Sequence, residues 1–295
     1  MMNEQKKKIV FIINPISGTG RQKKSESAII KYLDHSKYSY KIAYTAYAHH
    51  AVEIAKAATL NGSDIVVSIG GDGSANDVAR GLVHSDTIMG LIPVGSGNGL
   101  AHHLKIPISL KKSISIINKL KISRIDTATI NDTLFISVAG LGFDALVAEE
   151  FARCGRRGFW SYLKNGLKQF RTYKPEKYRL RFEGKEIDCT AMLVSFANSD
   201  QFGYNVRIAP KATVYDGLID LTIIKPVSFF NAIFIAHRFF LKSIYRSKYV
   251  ELYKIKEVHV DVSEEVSCHV DGDPVERIHS ATVKIVPKSL NIIIP

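Results

Sequence analysis

Apolar runs alternate with amphipathic stretches along the first third of the chain. KIVFII (Lys8–Ile13) stops at Asn14-Pro15 and a glycine-rich loop. Residues 22–35 are polar with recurring apolar positions and predict a helix. SYKIAYT predicts a strand, and HHAVEIAKAATL a helix ended by the stop signal Asn61-Gly62. DIVVSI reads as a buried strand, SANDVARGLV as a helix starting at Ser74, and TIMGLIP as a strand broken by Pro93. A short helix over 98–104 follows, and then SLKKSISIINKL, with Ile114 and Ile117 on one helical face. Strands alternating with helices predict βαβ units on a parallel sheet.

The pattern changes near Ile122. RIDTATI, TLFISVA, KYRLRF, CTAMLVSFA, LIDLTII, EVHVDV, VSCHVDG, TVKIVP and LNIII read as strands, interrupted by helical patches over about 143–172 and 227–243. Many short strands with turn signals predict a sandwich or barrel. The expected organisation is two domains: an α/β domain on a parallel sheet over 1–122, and a β-rich, sandwich-like domain over 123–295.

Composition narrows the class. The chain has 295 residues, enough for two domains, and 46% hydrophobic with 23% charged residues is ordinary for a soluble globular protein. Its net charge of +12 favours an anionic partner. Ten Lys or Arg against one acid, Glu176, lie between Arg153 and Arg181. Six against one, Glu251, lie between His237 and Lys256. Both stretches interleave cations with aromatics, among them Trp160, Phe170, Phe239 and Tyr245, as suits a membrane interface or a nucleic acid. No helix-turn-helix, zinc-finger or RNA-recognition signature is present, so nucleic acid is not the expected partner. Three widely spaced cysteines read as reduced thiols of a cytosolic protein. The apolar run Ile9–Ile13 is too short for a signal-peptide core, and no stretch has the length of a membrane span.

Three glycine-rich loops each follow an apolar strand: NPISGTG (Asn14–Gly20), GGDGSAND (Gly70–Asp77) and PVGSGNGLA (Pro93–Ala101). In an open parallel sheet, ligands bind beyond the carboxyl ends of the strands, so the three loops are expected to gather at one edge. Glycine lets backbone amides approach an anion, and the helix start behind each loop adds partial positive charge. A phosphate-bearing ligand is therefore expected. Asp72 is the anomaly, because a carboxylate among such loops repels phosphate. A divalent cation or a proton-acceptor role would account for it. No G-x-x-x-x-G-K-[ST] run occurs, so this is not a P-loop protein. GLGFDA (Gly140–Ala145) matches G-x-G-x-x-A, but it arrives after the alternating domain and is not expected to bind a dinucleotide.

GGDGSANDV followed by PVGSGNGLA resembles the diacylglycerol kinase catalytic domain superfamily, which includes bacterial soluble lipid kinases and sphingosine kinases. NPISG, VAGLGFDALVAEE, IAPKATVYDGLIDL and VDGDP extend the resemblance in order, from about Ile9 to Pro295. It implies an ATP-dependent lipid kinase, with a nucleotide-binding α/β domain, a β-rich second domain and an active site in the cleft between them. By motif position, Asn14, Thr45 and the loop Gly70, Gly71, Asp72, Gly73, Ser74, Ala75 and Asn76 would hold ATP. Ser96, Gly97 and Asn98 would complete that site. Thr213, Asp216 and Leu218 would bind Mg2+, Asp216 through its carboxylate and the others through carbonyls.

Asp273 would be the general base, and Asp72 would help at the reaction centre. A lipid hydroxyl must lose its proton as it attacks the γ-phosphorus, and a half-buried carboxylate with a raised pKa suits that task. Asp144 would meet the polar head of the substrate, or else cap a helix. The implied acceptor is a lipid hydroxyl of diacylglycerol, a sphingoid base or a related lipid. The expected location is cytoplasmic and peripheral to a membrane, with homodimerisation left open. The alternatives are a kinase of a soluble substrate such as NAD, and a non-catalytic nucleotide- or lipid-binding protein. GSGN and VDGD favour the lipid kinases.

Overall fold

Residues 5–16, 24–154, 166 and 169–295 are described by a computed structural model of the chain. Ser17–Gly20 of the first glycine loop, and Phe159, Trp160 and Tyr162 of the basic–aromatic stretch, lie outside the described residues. The chain forms two compact units, Met1–Ile125 with Lys288–Pro295, and Asp126–Pro287.

In the first unit, β1 (Lys7–Ile13), β2 (Tyr38–Tyr44), β3 (Ile65–Gly70) and β4 (Ile88–Pro93) form a parallel sheet in the order β4-β3-β1-β2. β3 is buried at every position, Ser68 included, which explains why its sequence does not alternate, since helices cover both faces of such a sheet. The helices are α1 (Ser25–Tyr32), α2 (His50–Leu60), α3 (Asp72–Leu82), α4 (Gly99–His103) and α5 (Leu110–Lys119). Ile114 and Ile117 of α5 enter the core with Phe11, Ile29 and Val67, as their spacing predicts.

The second unit begins within β5 (Ile122–Ile130) and is antiparallel and β-rich. β6 (Thr133–Phe135), β7 (Val138–Gly142), β8 (Glu176–Phe182), β9 (Lys185–Ala191), β10 (Leu193–Ala197), β11 (Ile219–Ile224), β12 (Val250–Ile255), β13 (Glu257–Val270) and β14 (Asp273–Ile293) follow. Helix α6 (Phe143–Cys154) comes after β7, and α7 (Phe229–Phe240) after β11. β13 shifts register between Asp261 and Val266 and again before Cys268. Its first half pairs with β8 and its second half with β7, so the bulged strand serves both layers of a sandwich-like core. Among the described residues no helix is long and apolar enough to cross a membrane.

Several expectations need correction. TLFISVA is not one strand: it breaks at Ile136-Ser137, whose amides turn to a side chain instead of a neighbouring strand. EVHVDV and VSCHVDG are one strand, because the polar run between them is a bulge. TVKIVP and LNIII are likewise one strand, β14, which runs from the second unit into the first. There Ile292 pairs in parallel with Met89 of β4, so Lys288–Pro295 belongs with the first unit. β12 was hidden in the basic–aromatic stretch. The G-x-G-x-x-A run lies on β7, between antiparallel neighbours β10 and β13, and has no βαβ setting.

Candidate active site

The parallel strands of the first unit end level. Ile13 pairs with both Tyr44 and Ile69, and Gly70 pairs with Pro93. Residues that follow these ends therefore share one edge. Thr45 N–H donates to Ile13 O at 3.0 Å, and Asn14 N–H to Ile69 O at 3.3 Å. Asn14 Nδ2 donates to Ser74 Oγ at 3.3 Å. Asn14, Thr45 and the Gly70–Asn76 loop are thus together, as expected.

Helix α3 starts at Asp72, ahead of the expected Ser74, because an acid in the first turn complements the helix dipole. Its N-cap, Gly71, makes no side-chain cap. The first-turn amides, including those of Gly73 and Ser74, have no acceptor within the helix, which makes this end attractive to an anion.

The second and third loops touch backbone to backbone. Val94 and Gly95 N–H both donate to Gly70 O, at 3.0 and 3.2 Å. A Cβ on Gly95 would overlap Gly71 Cα, so only glycine permits this approach. Asp72 completes the join: Oδ2 accepts Asn98 N–H at 2.7 Å and Oδ1 accepts Gly99 N–H at 2.6 Å. Asn98 adopts φ 54° as the N-cap of α4, and its Nδ2 donates to Gly95 O at 2.7 Å. A small hollow is lined by Gly70, Gly71, Asp72, Pro93 and Asn98, with Ser96 and Gly97 half-buried beside them. The acid among the glycines is held by amides at the start of the next helix.

In the second unit, VDGDP is a hairpin. Val270 pairs with Asp273, and the two turn residues Asp271 and Gly272 have φ values of 50° and 87°, as in a type I′ turn. The two acids part ways. Asp271 is buried and takes Ile136 N–H on Oδ2 at 2.9 Å, with Ser137 and Val138 N–H on Oδ1 at 2.8 and 3.0 Å. Asp273 is exposed at the start of β14, not half-buried as expected, because the turn delivers it outward.

Asp144 opens α6 and is only 5% exposed, facing His269, which is 3% exposed, at 3.2 Å. Gly272 N–H donates to His269 Nδ1 at 3.3 Å, which leaves the proton on Nε2, toward Asp144 Oδ2. A side chain at Gly140 would overlap both groups, so glycine there admits the pair. The turn that carries Asp273 is therefore tethered twice, through Asp271 to the 136–138 backbone and through His269 to Asp144.

Thr213, Asp216 and Leu218 lie in the loop before β11. Buried Asp126 shapes this loop. Its N–H donates to Val214 O and its Oδ2 accepts Gly217 N–H, both at 2.8 Å. Asn198 Nδ2 donates to Asp126 O and Ile136 O. Asp216 Oδ2 is 2.6 Å from Lys254 Nζ, which is also 3.2 Å from Asp220 Oδ2. Burial raises the Asp220 carboxyl against the pull of Lys254. Burial opposes charge on Lys254 too, yet its bonds to Asp216 and Asp220 hold its pKa raised. An ammonium thus already balances the charge where the resemblance implies Mg2+. Among the described residues no three His, Cys, Asp or Glu side chains gather to hold a metal. One carboxylate and two carbonyls do not fit a resident cation while Lys254 is in place.

His269, Asp271, Asp126, Asn198 and Lys254 were not singled out by sequence. Asp271 carried a signal, as the first acid of an Asp-Gly turn, but that signal predicts a turn and not three long-range amide bonds. The others are lone polar residues whose partners are remote in sequence.

A parallel sheet with glycine loops at its carboxyl edge, followed in the chain by an antiparallel sandwich-like unit, is a two-domain plan whose first unit offers an anion-binding edge. Residues 8–130 match the diacylglycerol kinase catalytic domain, and residues 137–294 match the YegS C-terminal NAD kinase beta sandwich-like domain. The chain belongs to the family of lipid kinase-related proteins that joins these two domains. It is 28% identical to a diacylglycerol kinase of Bacillus subtilis (strain 168), over 90% of each chain. It is also 28% identical to a diacylglycerol kinase of Mycobacterium tuberculosis, over 98% of this chain and 95% of the relative. A crystal structure of a diacylglycerol kinase from Bacillus anthracis superposes with a TM-score of 0.73 at 16% identity, over 99% of this chain and 98% of the other, which shows a shared fold.

Proposed function

We propose that this protein transfers the γ-phosphoryl group of ATP to the hydroxyl of a lipid such as diacylglycerol or a sphingoid base. The observation that carries the reading is the loop edge of the first unit. Three strand ends, the uncapped start of α3 and the amide-held third loop converge there, in a chain of a kinase family.

The Gly70–Asn76 loop and the start of α3 bind phosphate oxygens through backbone amides, with Asn14, Thr45 and Ser96–Asn98 around the rest of the nucleotide. Asp72 keeps the second and third loops in register and, at the reaction centre, helps to orient the nucleotide. ATP enters as its Mg2+ complex, in which the cation neutralises phosphate charge. Asp273 accepts the acceptor's hydroxyl proton as that oxygen bonds to the γ-phosphorus and the bond to the β,γ-bridging oxygen breaks, releasing ADP. Asp144, buried against His269, acts on this step by holding the Asp273 turn. The acceptor resides in a bilayer, so the enzyme works from the membrane surface.

The test is a panel of diacylglycerol, sphingosine, ceramide and NAD offered with Mg-ATP labelled on the γ-phosphate. Label on a lipid supports the reading. Label on NAD, or on no acceptor, overturns it.

A further inference from the structure

Helix α7 has a face that the proposed chemistry does not use. Phe230, Ile233 and Phe234 are 75%, 51% and 68% exposed, while Ile235 is the one buried residue of the helix. Positions i, i+3 and i+4 share one helical face, so these exposed side chains form a contiguous patch. Leu241 extends it and is exposed as well. Single exposed apolar residues are ordinary, whereas a contiguous patch marks an interaction surface.

The rim of this patch is cationic. From Pro226 to Val250 there is no Asp or Glu, and Lys242, Arg246 and Lys248 are exposed. Tyr245, also exposed, has Lys211 Nζ 5.2 Å and the Arg246 guanidinium 5.6 Å from its ring centre. An apolar face bordered by lysine, arginine and tyrosine is the chemistry of a helix lying in a membrane interface.

We propose that α7 inserts Phe230, Ile233 and Phe234 into the acyl region of an anionic bilayer while Lys242, Arg246 and Lys248 rest on its headgroups. The occupant follows from charge. A second copy docked face to face would set the same cations against each other, with no acid in the segment to pair them. An anionic leaflet supplies the opposite charge over the whole rim. The purpose of this contact rests on the lipid-acceptor reading, since it brings the enzyme to the surface where its acceptor resides. The contact itself needs neither ATP nor acceptor.

The test is sedimentation of the full chain with vesicles of phosphatidylcholine, with and without phosphatidylglycerol. Circular dichroism and size exclusion of each variant guard against misfolding. Wild type is expected to bind the anionic vesicles, with an affinity that falls as salt rises. Phe230→Ser with Phe234→Ser weakens binding at least ~10-fold through lost apolar burial. Lys242→Gln, Arg246→Gln and Lys248→Gln together weaken it about 100-fold on anionic vesicles and remove the salt dependence. Equal binding by wild type and both variants overturns the proposal. So does a wild-type dimer that the Phe variants convert to monomer without any vesicle binding. Vesicle binding without lipid phosphorylation would leave this surface standing and remove the kinase reading.

Discussion

Both units turn an acid beside a glycine back onto backbone amides, and the second sets another acid outward two residues beyond it. In the first unit Asp72 turns back onto its own domain, where Asn98 and Gly99 N–H hold both carboxylate oxygens. In the second, Asp271 does the same with three amides of residues 136–138, while Asp273, just past Gly272, faces outward. A carboxylate in a motif is therefore not chemical by default. Two of these three acids accept backbone amides at strand breaks and element starts, and the third is exposed at a strand start. Buried amides without acceptors are costly, and an ionised acceptor is a strong answer to them.

The largest effect should come from the outward acid. Asp273→Asn is expected to lower lipid phosphorylation by about 10²–10⁴-fold, the usual contribution of a general base, with the urea midpoint unchanged. Unchanged turnover would break the contrast between the two acids of the hairpin. Asp271→Ala should do the reverse. Loss of three charge-assisted bonds to buried amides is expected to cost on the order of 4 kcal/mol in urea unfolding, and activity falls only because the turn moves.

Asp72→Ala is expected to cost about 2–3 kcal/mol and to raise KM for ATP, since the second and third loops lose their join. A fall in kcat at unaltered stability and KM would move Asp72 from loop to chemistry. Lys254→Met removes the partner of Asp216 and Asp220 and should cost about 1–2 kcal/mol in thermal unfolding. Recovery on adding Mg2+ would show that a cation can take the place of the ammonium.

The smallest effect lies in the interior of the second unit. Burial pushes the Cys268 thiol up to about 12 and Cys189 up to about 11. Thiolate is the reactive form, so alkylation of both by iodoacetamide should be slow at pH 8 and rise about tenfold per pH unit. Peptide mass spectrometry across a pH series measures it.

Much of the fold was legible because its signals are local. The largely apolar run of β3, the Ile114–Ile117 spacing of α5 and the stop at Asn61-Gly62 need no remote partner. Failures came where a distant group overrode local pattern. TLFISVA looks continuous until Asp271 draws off the amides of Ile136 and Ser137. Pro287 and Lys288 look like the end of a strand, but the chain passes there into the first unit and pairs Ile292 with Met89.

The class of the protein is written in short segments: an alternating half, a β-rich half, three glycine loops after apolar strands, and the ordered motifs of a kinase family. Periodicity and glycine placement are properties of short segments, so they survive without tertiary knowledge. What each acid touches is set by long-range packing. Asp72 and Asp271 accept backbone amides, Asp144 faces His269, Asp216 pairs with Lys254, and Asp273 is exposed at the start of β14. The partners lie from 26 residues to 135 residues away. No local pattern encodes such pairings, because they arise when packing brings unsatisfied donors to the nearest carboxylate.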